Sequence, residues 1–210
     1  MQTRRTLIAM LAASAPVAGL AACKGGGKQA TVTDDDVSMG SPTAPVTLIE
    51  YASVACPVCA YFNNNVFPDF KKKYIDTGQV RFVGREINAH DPALSIAGFL
   101  LARCAGKDKY FEVTDAVYKA QPKIDETGDA RGELLRIAKD FGFSEAEFTA
   151  CVTDPKAIDA QIARSERLAK AHGVQFTPTF VIGDKIVAEK LVTLEELDAI
   201  IAAAKAKPAA

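Results

Sequence analysis

An apolar run, Val46-Thr47-Leu48-Ile49-Glu50-Tyr51, leads five residues later into Cys56-Pro57-Val58-Cys59. A continuous apolar stretch this short reads as a buried strand. Pro57 suits the first turn of a helix, where its missing N–H would have had no partner. Two thiols three positions apart at a helix start can close a small disulfide ring or open it again. The fold must therefore bring a strand end, a turn and a helix N-terminus together around two sulfurs.

A thiolate, not a thiol, attacks a disulfide. The free N–H groups and dipole of a helix start favour negative charge, so Cys56 is expected to have a lowered pKa and to act as the nucleophile. Cys59, one turn in, is expected to face the interior and to stay protonated longer. The competing reading is half of a zinc site. Zinc wants four ligands, usually as two such pairs, whereas Cys104 and Cys151 are isolated and the histidines, His90 and His172, are not in ligand spacing. Redox chemistry is the stronger reading, with no metal or organic cofactor and the Cys56–Cys59 disulfide carrying the electrons. His90 reads as a loop residue, and His172 as a cation offsetting a helix C-terminus.

The 210 residues suit one domain, or one with an insertion, and 49% hydrophobic residues are ample for a core. The net charge of -1 gives no basic stripe for nucleic acid, and Lys71-Lys72-Lys73 reads as a solvated helix face. Arg4 and Arg5 before the short apolar stretch 7–20 read as a cleavable export signal over residues 1–22. The arginines fit either a twin-arginine or a Sec signal. Leu20-Ala21-Ala22-Cys23 resembles the lipobox of bacterial lipoproteins, which implies lipidation of Cys23; ordinary cleavage nearby would leave a spare thiol. Residues 23–40, Gly-rich and then acidic through Asp34-Asp35-Asp36, read as a flexible linker with the Asp run solvated.

Farther along, Gln79–Val83 reads as a second strand, with Pro68 kinking or breaking the helix before it. Residues 91–172 are helical in character. Asp91-Pro92 opens a helix with Ala93, Ile96, Ala97, Leu100, Leu101 and Cys104 at helical spacing, and residues 107–119 suggest another. Ser144 and Glu147 form a capping box. Asp154-Pro155 opens a helix burying Ile158, Ile162, Ser165 and Leu168, with Gly173 as its C-terminal cap. Strands 179–182 and 185–188 flank a Gly183-Asp184 hairpin turn, and Thr193 and Glu196 cap a last helix.

Strand, Cys-x-x-Cys helix, strand, helical block, hairpin, helix: this order resembles an α/β thioredoxin fold, a mixed sheet flanked by helices, with an all-helical insertion, as in periplasmic disulfide oxidoreductases of the DsbA type. The resemblance spans roughly residues 37–205 and rests on Glu50, Cys56-Pro57-Val58-Cys59 and Gln175-Phe176-Thr177-Pro178-Thr179. It implies a thioredoxin domain at 41–90 and 173–206, with the insertion at 91–172. It places Glu50 beneath the redox pair, where it helps move the proton of Cys59; a solvated strand-end glutamate is the alternative. It makes Pro178, after Thr177, a cis proline packed against the disulfide; an ordinary trans proline at a strand start is the alternative. The DsbA type carries histidine where this chain has Val58, so Cys56 is expected to have a higher pKa and less oxidising power than a histidine-containing enzyme.

Exported chains seldom keep two buried thiols unpaired, and DsbA-like relatives from alphaproteobacteria look similar here. Cys104 and Cys151 are therefore expected to form a structural disulfide rather than remain free. The resemblance implies a periplasmic, monomeric dithiol oxidase, membrane-attached through lipidated Cys23, that oxidises reduced or unfolded clients and is reset by a membrane redox partner. A reductase or isomerase on the same fold is the near alternative, and a non-enzymatic copper(I)-binding dithiol protein the distant one.

Overall fold

The computed structural model describes residues 32–206. The expected signal (1–22), Cys23 and the Gly-rich stretch after it lie outside the described residues.

The apolar run forms β2 (Val46–Ala52), the middle strand of a mixed five-stranded sheet. β3 (Val80–Glu86) pairs with it in parallel and β4 (Thr179–Ile182) antiparallel. β1 (Val37–Met39) and β5 (Lys185–Ala188) add to the outer sides of β3 and β4, giving the order β1-β3-β2-β4-β5. A central strand covered on both faces has no polar face, which explains its continuous apolar character. Leu48 packs with Phe82 and Phe180 in one layer, while Ile49 and Tyr51 pack with Val83 and Val181 in the other.

The first layer is completed by α1 (Pro57–Asn65), α2 (Phe67–Phe70) and α8 (Leu194–Ala206) through Phe62, Phe70, Leu197 and Ile201. The break between α1 and α2 falls at Val66, and a π-helical turn, Lys71–Ile75, follows. Pro68 has no N–H to offer the carbonyl one turn back, and its ring crowds that carbonyl, so the first helix stops short of it.

Between β3 and β4 run α3 (Pro92–Cys104), α4 (Tyr110–Thr127), α5 (Ala130–Asp140), α6 (Glu145–Thr153) and α7 (Pro155–His172). Asp91, Asp129, Ser144 and Asp154 each cap a helix by accepting from a backbone N–H. Gly173 closes α7 at φ 64°. α4 continues past Lys119 to Thr127 with Pro122 inside it.

Two buried stripes differ from the expected ones. On α3 the buried face is Leu94, Ser95, Gly98, Phe99, Leu101 and Ala102, with Leu100 beside it, while Ala93 and Cys104 are exposed. Scanning for apolar residues passes over Ser95 and Gly98, yet these make the close contacts with the redox turn. On α7 Ile162 is 37% exposed and Gln161 takes the inner position. Gln161 and Ser165 face Asn88: the Asn88 N–H donates to Ser165 Oγ at 2.8 Å, and the Gln161 amide donates to Asn88 Oδ1 at 3.4 Å.

The 23–40 linker requires a correction. Residues 37–39 are β1, and of the Asp run before it Asp34 and Asp35 are exposed as expected while Asp36 is buried. Asp36 accepts two bonds from the Arg85 guanidinium, at 3.0 and 2.9 Å, and both side chains are buried. Asp35 meets Arg164 and Arg167, and Lys107 donates to the Asp34 carbonyl. All these cations come from distant elements, so the local pattern gave no sign of them.

Burial alone would raise the Asp36 pKa, but Arg85 and the Thr33 N–H overcome it and hold the carboxyl below its ordinary value. A depressed carboxylate contributes stability that is present above the unfolded pKa and lost as pH falls through the folded one. Asp36→Ala, which strands a buried guanidinium, is expected to cost about 3–5 kcal/mol at neutral pH. The deficit should shrink in strong acid; urea melts across pH check it, with Asp34→Ala as a near-neutral control.

Candidate active site

Where β2 ends, Ser53 builds the turn that delivers Cys56. Its carbonyl accepts the Cys56 N–H at 3.0 Å and its hydroxyl accepts the Ala55 N–H at 3.2 Å. The Ser53 and Ser95 hydroxyls stand 2.7 Å apart, and both reach the Ala89 carbonyl, at 2.9 and 3.0 Å. Opposite Val54, a Cβ on Gly98 would come within 2.8 Å of a Val54 methyl, so only glycine lets α3 approach this closely. From α4, the buried Gln121 amide donates to the carbonyls of Val54 (2.7 Å) and Cys56 (3.3 Å). The helical insertion thus grips the redox turn from two sides.

Cys56 is the N-cap of α1 in extended conformation, and its sulfur accepts the Cys59 N–H at 3.5 Å. Both cysteines are free thiols with 0% of their surface exposed. The segment before β4 supplies the cover. The Thr177–Pro178 peptide is cis, and the Cys56 thiol reaches the Thr177 carbonyl at 3.4 Å. Pairing of Tyr51 with Thr179 sets Pro178 beside the start of the turn, and Thr179 Oγ1 ties the segment by donating to Phe176 O at 2.8 Å.

The two sulfurs are electrostatically unequal. The Cys56 pKa is lowered to about 5, first by hydrogen bonding from the Cys59 thiol. Burial opposes this; the Thr177 hydroxyl, the Cys59 N–H and the charge of His90 add to it. The Cys59 pKa is raised, first by burial, then by its bond to Cys56 and by Glu50. Glu50 on β2 is buried, and desolvation, with the Cys56 charge added, pushes its pKa to about 8. Glu50 and Tyr118 both line a cavity of about 520 Å³ between the sheet and α4, walled by Phe67, Phe82 and Phe111. Burial likewise pushes the Tyr118 hydroxyl up.

Glu50, Cys56, Cys59, Thr177 and Pro178 therefore converge. Cys104 and Cys151 form a disulfide joining α3 to α6, away from this cluster. Four contributors escaped sequence reasoning: Ser53, Ser95, Gln121 and His90. Ser53 lies in the turn itself, while the other three come from separate segments, so spacing carried no sign of them. His172 also differs from expectation. The Tyr51 hydroxyl contacts its Nδ1 at 2.6 Å, and burial, followed by the Arg85 charge, lowers its pKa and disfavours the expected cation. Among the described residues no three His, Cys, Asp or Glu side chains are grouped to hold a metal ion.

A family model described as thioredoxin matches residues 32–203, and the chain belongs to that family. Within it the chain is DsbA-like. The solved structure of Wolbachia pipientis alpha-DsbA1 aligns with a TM-score of 0.71 at 27% identity, covering 84% of this chain and 94% of that one. A Rickettsia conorii protein, provisionally named a protein-disulfide oxidoreductase, is 34% identical over 152 residues, 72% of this chain and 54% of that one. Disulfide bond formation protein D of Bacillus subtilis is 25% identical over 151 residues, 71% of this chain and 68% of that one. The chain spans just over half the length of the Rickettsia relatives it matches.

A glutamate whose pKa rises from 4.5 unfolded to about 8 folded keeps its proton only in the native state between those values. Native stability is therefore lost as pH climbs through that window and is level above it. Glu50→Gln removes the loss. In the dithiol form the variant should match wild type near pH 4 and exceed it by roughly 3–5 kcal/mol at pH 8, read from urea melts.

Proposed function

We propose that this chain is an exported thiol–disulfide oxidoreductase that passes the Cys56–Cys59 disulfide to reduced client proteins. The observation that carries the reading is the paired asymmetry of the sulfurs: Cys56 at the start of α1 with a pKa of about 5, and Cys59 behind it with a raised one.

In the oxidised protein a client thiolate attacks Cys56 Sγ. The Cys56–Cys59 bond breaks, and Cys59 leaves with the electron pair. Its raised pKa makes it take up a proton, for which neutral Glu50 nearby is a donor. A second client thiolate attacks the client sulfur of the mixed disulfide. Cys56 leaves as a stable thiolate, since a lower pKa makes a faster leaving group. The client gains a disulfide, and the protein holds both electrons as a dithiol. A membrane redox partner that removes them completes the cycle.

The direction follows from linkage. Stabilising a thiolate stabilises the reduced form, which makes the disulfide more oxidising. The attacking cysteine titrates near 7 in thioredoxin and near 3.5 in DsbA; about 5 lies between them. An N-terminal export signal and a lipidated Cys23 belong to the same reading and place the reaction in the periplasm at a membrane surface. No helix among the described residues is long and apolar enough to cross a membrane.

Equilibration with glutathione is expected to give a potential between roughly -270 and -120 mV, the thioredoxin and DsbA values. Catalytic oxidation of a reduced substrate protein, together with mixed disulfides captured by Cys59→Ala and absent from Cys56→Ala, supports the oxidase. Recovery of scrambled disulfides without net oxidation would make it an isomerase. Tight copper(I) binding without turnover would remove the enzymatic reading.

A further inference from the structure

The stretch 173–178 joins α7 to β4 and helps cover Cys56. It sets the Thr177 carbonyl 3.4 Å from the Cys56 sulfur, and Cys56 has no exposed surface. A client sulfur can bond to Cys56 only when this cover moves aside. Gln175 and Phe176, in the middle of the stretch, are exposed, whereas its two ends are fastened, both of them to Tyr51. Just past one end, Tyr51 pairs with Thr179 in the sheet. Just before the other, the Tyr51 hydroxyl lies 2.6 Å from Nδ1 of His172, the last residue of α7. The two rings meet edge to face, with centroids 5.7 Å apart.

The hydrogens of that contact follow from its neighbours. Arg85 donates to the Tyr51 oxygen at 2.7 Å and is itself held by Asp36. A guanidinium only donates, so the hydroxyl hydrogen is left for His172, whose Nδ1 must be bare to accept it. A proton on Nδ1 would turn the acceptor into a second donor aimed at the same oxygen, beside the Arg85 charge.

We propose that Tyr51 and His172 are positioning residues for the reaction: their hydrogen bond is a clasp that holds the stretch 173–178 over Cys56 and sets how often the sulfur is uncovered. The inference rests on the oxidoreductase reading. The groups that bear on His172 are Tyr51 from β2, Arg85 from β3 and Asp184 from the turn between β4 and β5. Burial and then Arg85 hold the imidazole pKa below its ordinary 6.5, with Asp184 acting against them. The clasp is therefore whole at neutral pH and is lost as pH falls through that lowered pKa.

The test is the rate at which iodoacetamide alkylates Cys56 in the full chain in its dithiol form. Near neutrality Cys56 is ionised, so the rate reads access to the sulfur; in acid it is divided by the thiolate fraction taken from ultraviolet absorbance. His172→Ala removes the acceptor and is expected to react about two- to tenfold faster at neutral pH, the range one hydrogen bond supports. His172→Asn sets an amide oxygen where Nδ1 stood and cannot gain a proton, so it should stay near wild type at every pH. Wild type itself should approach the alanine rate below about pH 6. An alanine variant as slow as wild type overturns the proposal. So does an asparagine variant as fast as alanine, which would mark a merely structural role for the imidazole. If His172→Ala does not fold, Tyr51→Phe removes the hydroxyl from the other side, and the same rise is expected. Alkylation rates that behave as stated in a protein unable to oxidise a reduced substrate would instead defeat the oxidoreductase reading beneath the proposal.

Discussion

A sulfur anion with no exposed surface organises this molecule. Burying a charge is costly unless nearby groups replace the water it loses. Around Cys56 those groups are the Cys59 thiol and N–H, the Thr177 hydroxyl and the helix start itself. A second charge nearby would undo the arrangement, so Glu50 must hold its proton while Cys56 is ionised, and the influence is mutual. The site is best described as one negative charge shared out among three acids. Hydrogen bonding decides that it rests on Cys56, and burial that the protons rest on Cys59 and Glu50.

The helical insertion takes part in this division of charge. Cys56 and Cys59 belong to the same buried cluster as Phe99, Val117 and Ile137, which come from α3, α4 and α5. α4 holds the carbonyls of the redox turn through Gln121, and α3 meets the turn at Gly98 and Ser95. The Cys104–Cys151 link ties α3 to α6 across 47 residues, a loop whose closure is worth about 4 kcal/mol in the chain-entropy account. Its effect on the site is indirect: a helix that cannot drift keeps Ser95 and Gly98 against the turn.

Much of this was legible because it is local. The strand–turn–helix around Cys56, the capping box at Ser144 and Glu147, the cap at Gly173 and the final hairpin follow from short-range chemistry that the sequence displays directly. What was hidden depends on partners brought from afar. Asp36 looked solvated because Arg85 is distant in sequence, and His172 looked like a helix-end cation because the Tyr51 hydroxyl is more distant still. The α3 and α7 stripes were misplaced for a related reason. Hydrophobicity marks the inner face only where packing is apolar, and here Ser95 and Gln161 are inside because they meet polar partners, and Gly98 because the Val54 and Val117 side chains leave no room for a Cβ.

The unequal sulfurs also set how many protons accompany the electrons. Reducing a disulfide to two thiols takes up two protons, but Cys56 remains a thiolate above about pH 5 while Cys59 is protonated well into the alkaline range. Near neutrality the two-electron step therefore takes up one proton, and its potential falls by about 30 mV per pH unit instead of about 59. That single proton belongs on Cys59, whose pKa burial holds up. Glu50, a buried acid still protonated at pH 7, lines a cavity between the sheet and α4 and acts on the same thiol. The raised Glu50 pKa, a burden on stability toward alkaline pH, is the consequence of burying a third acid beside a charged sulfur.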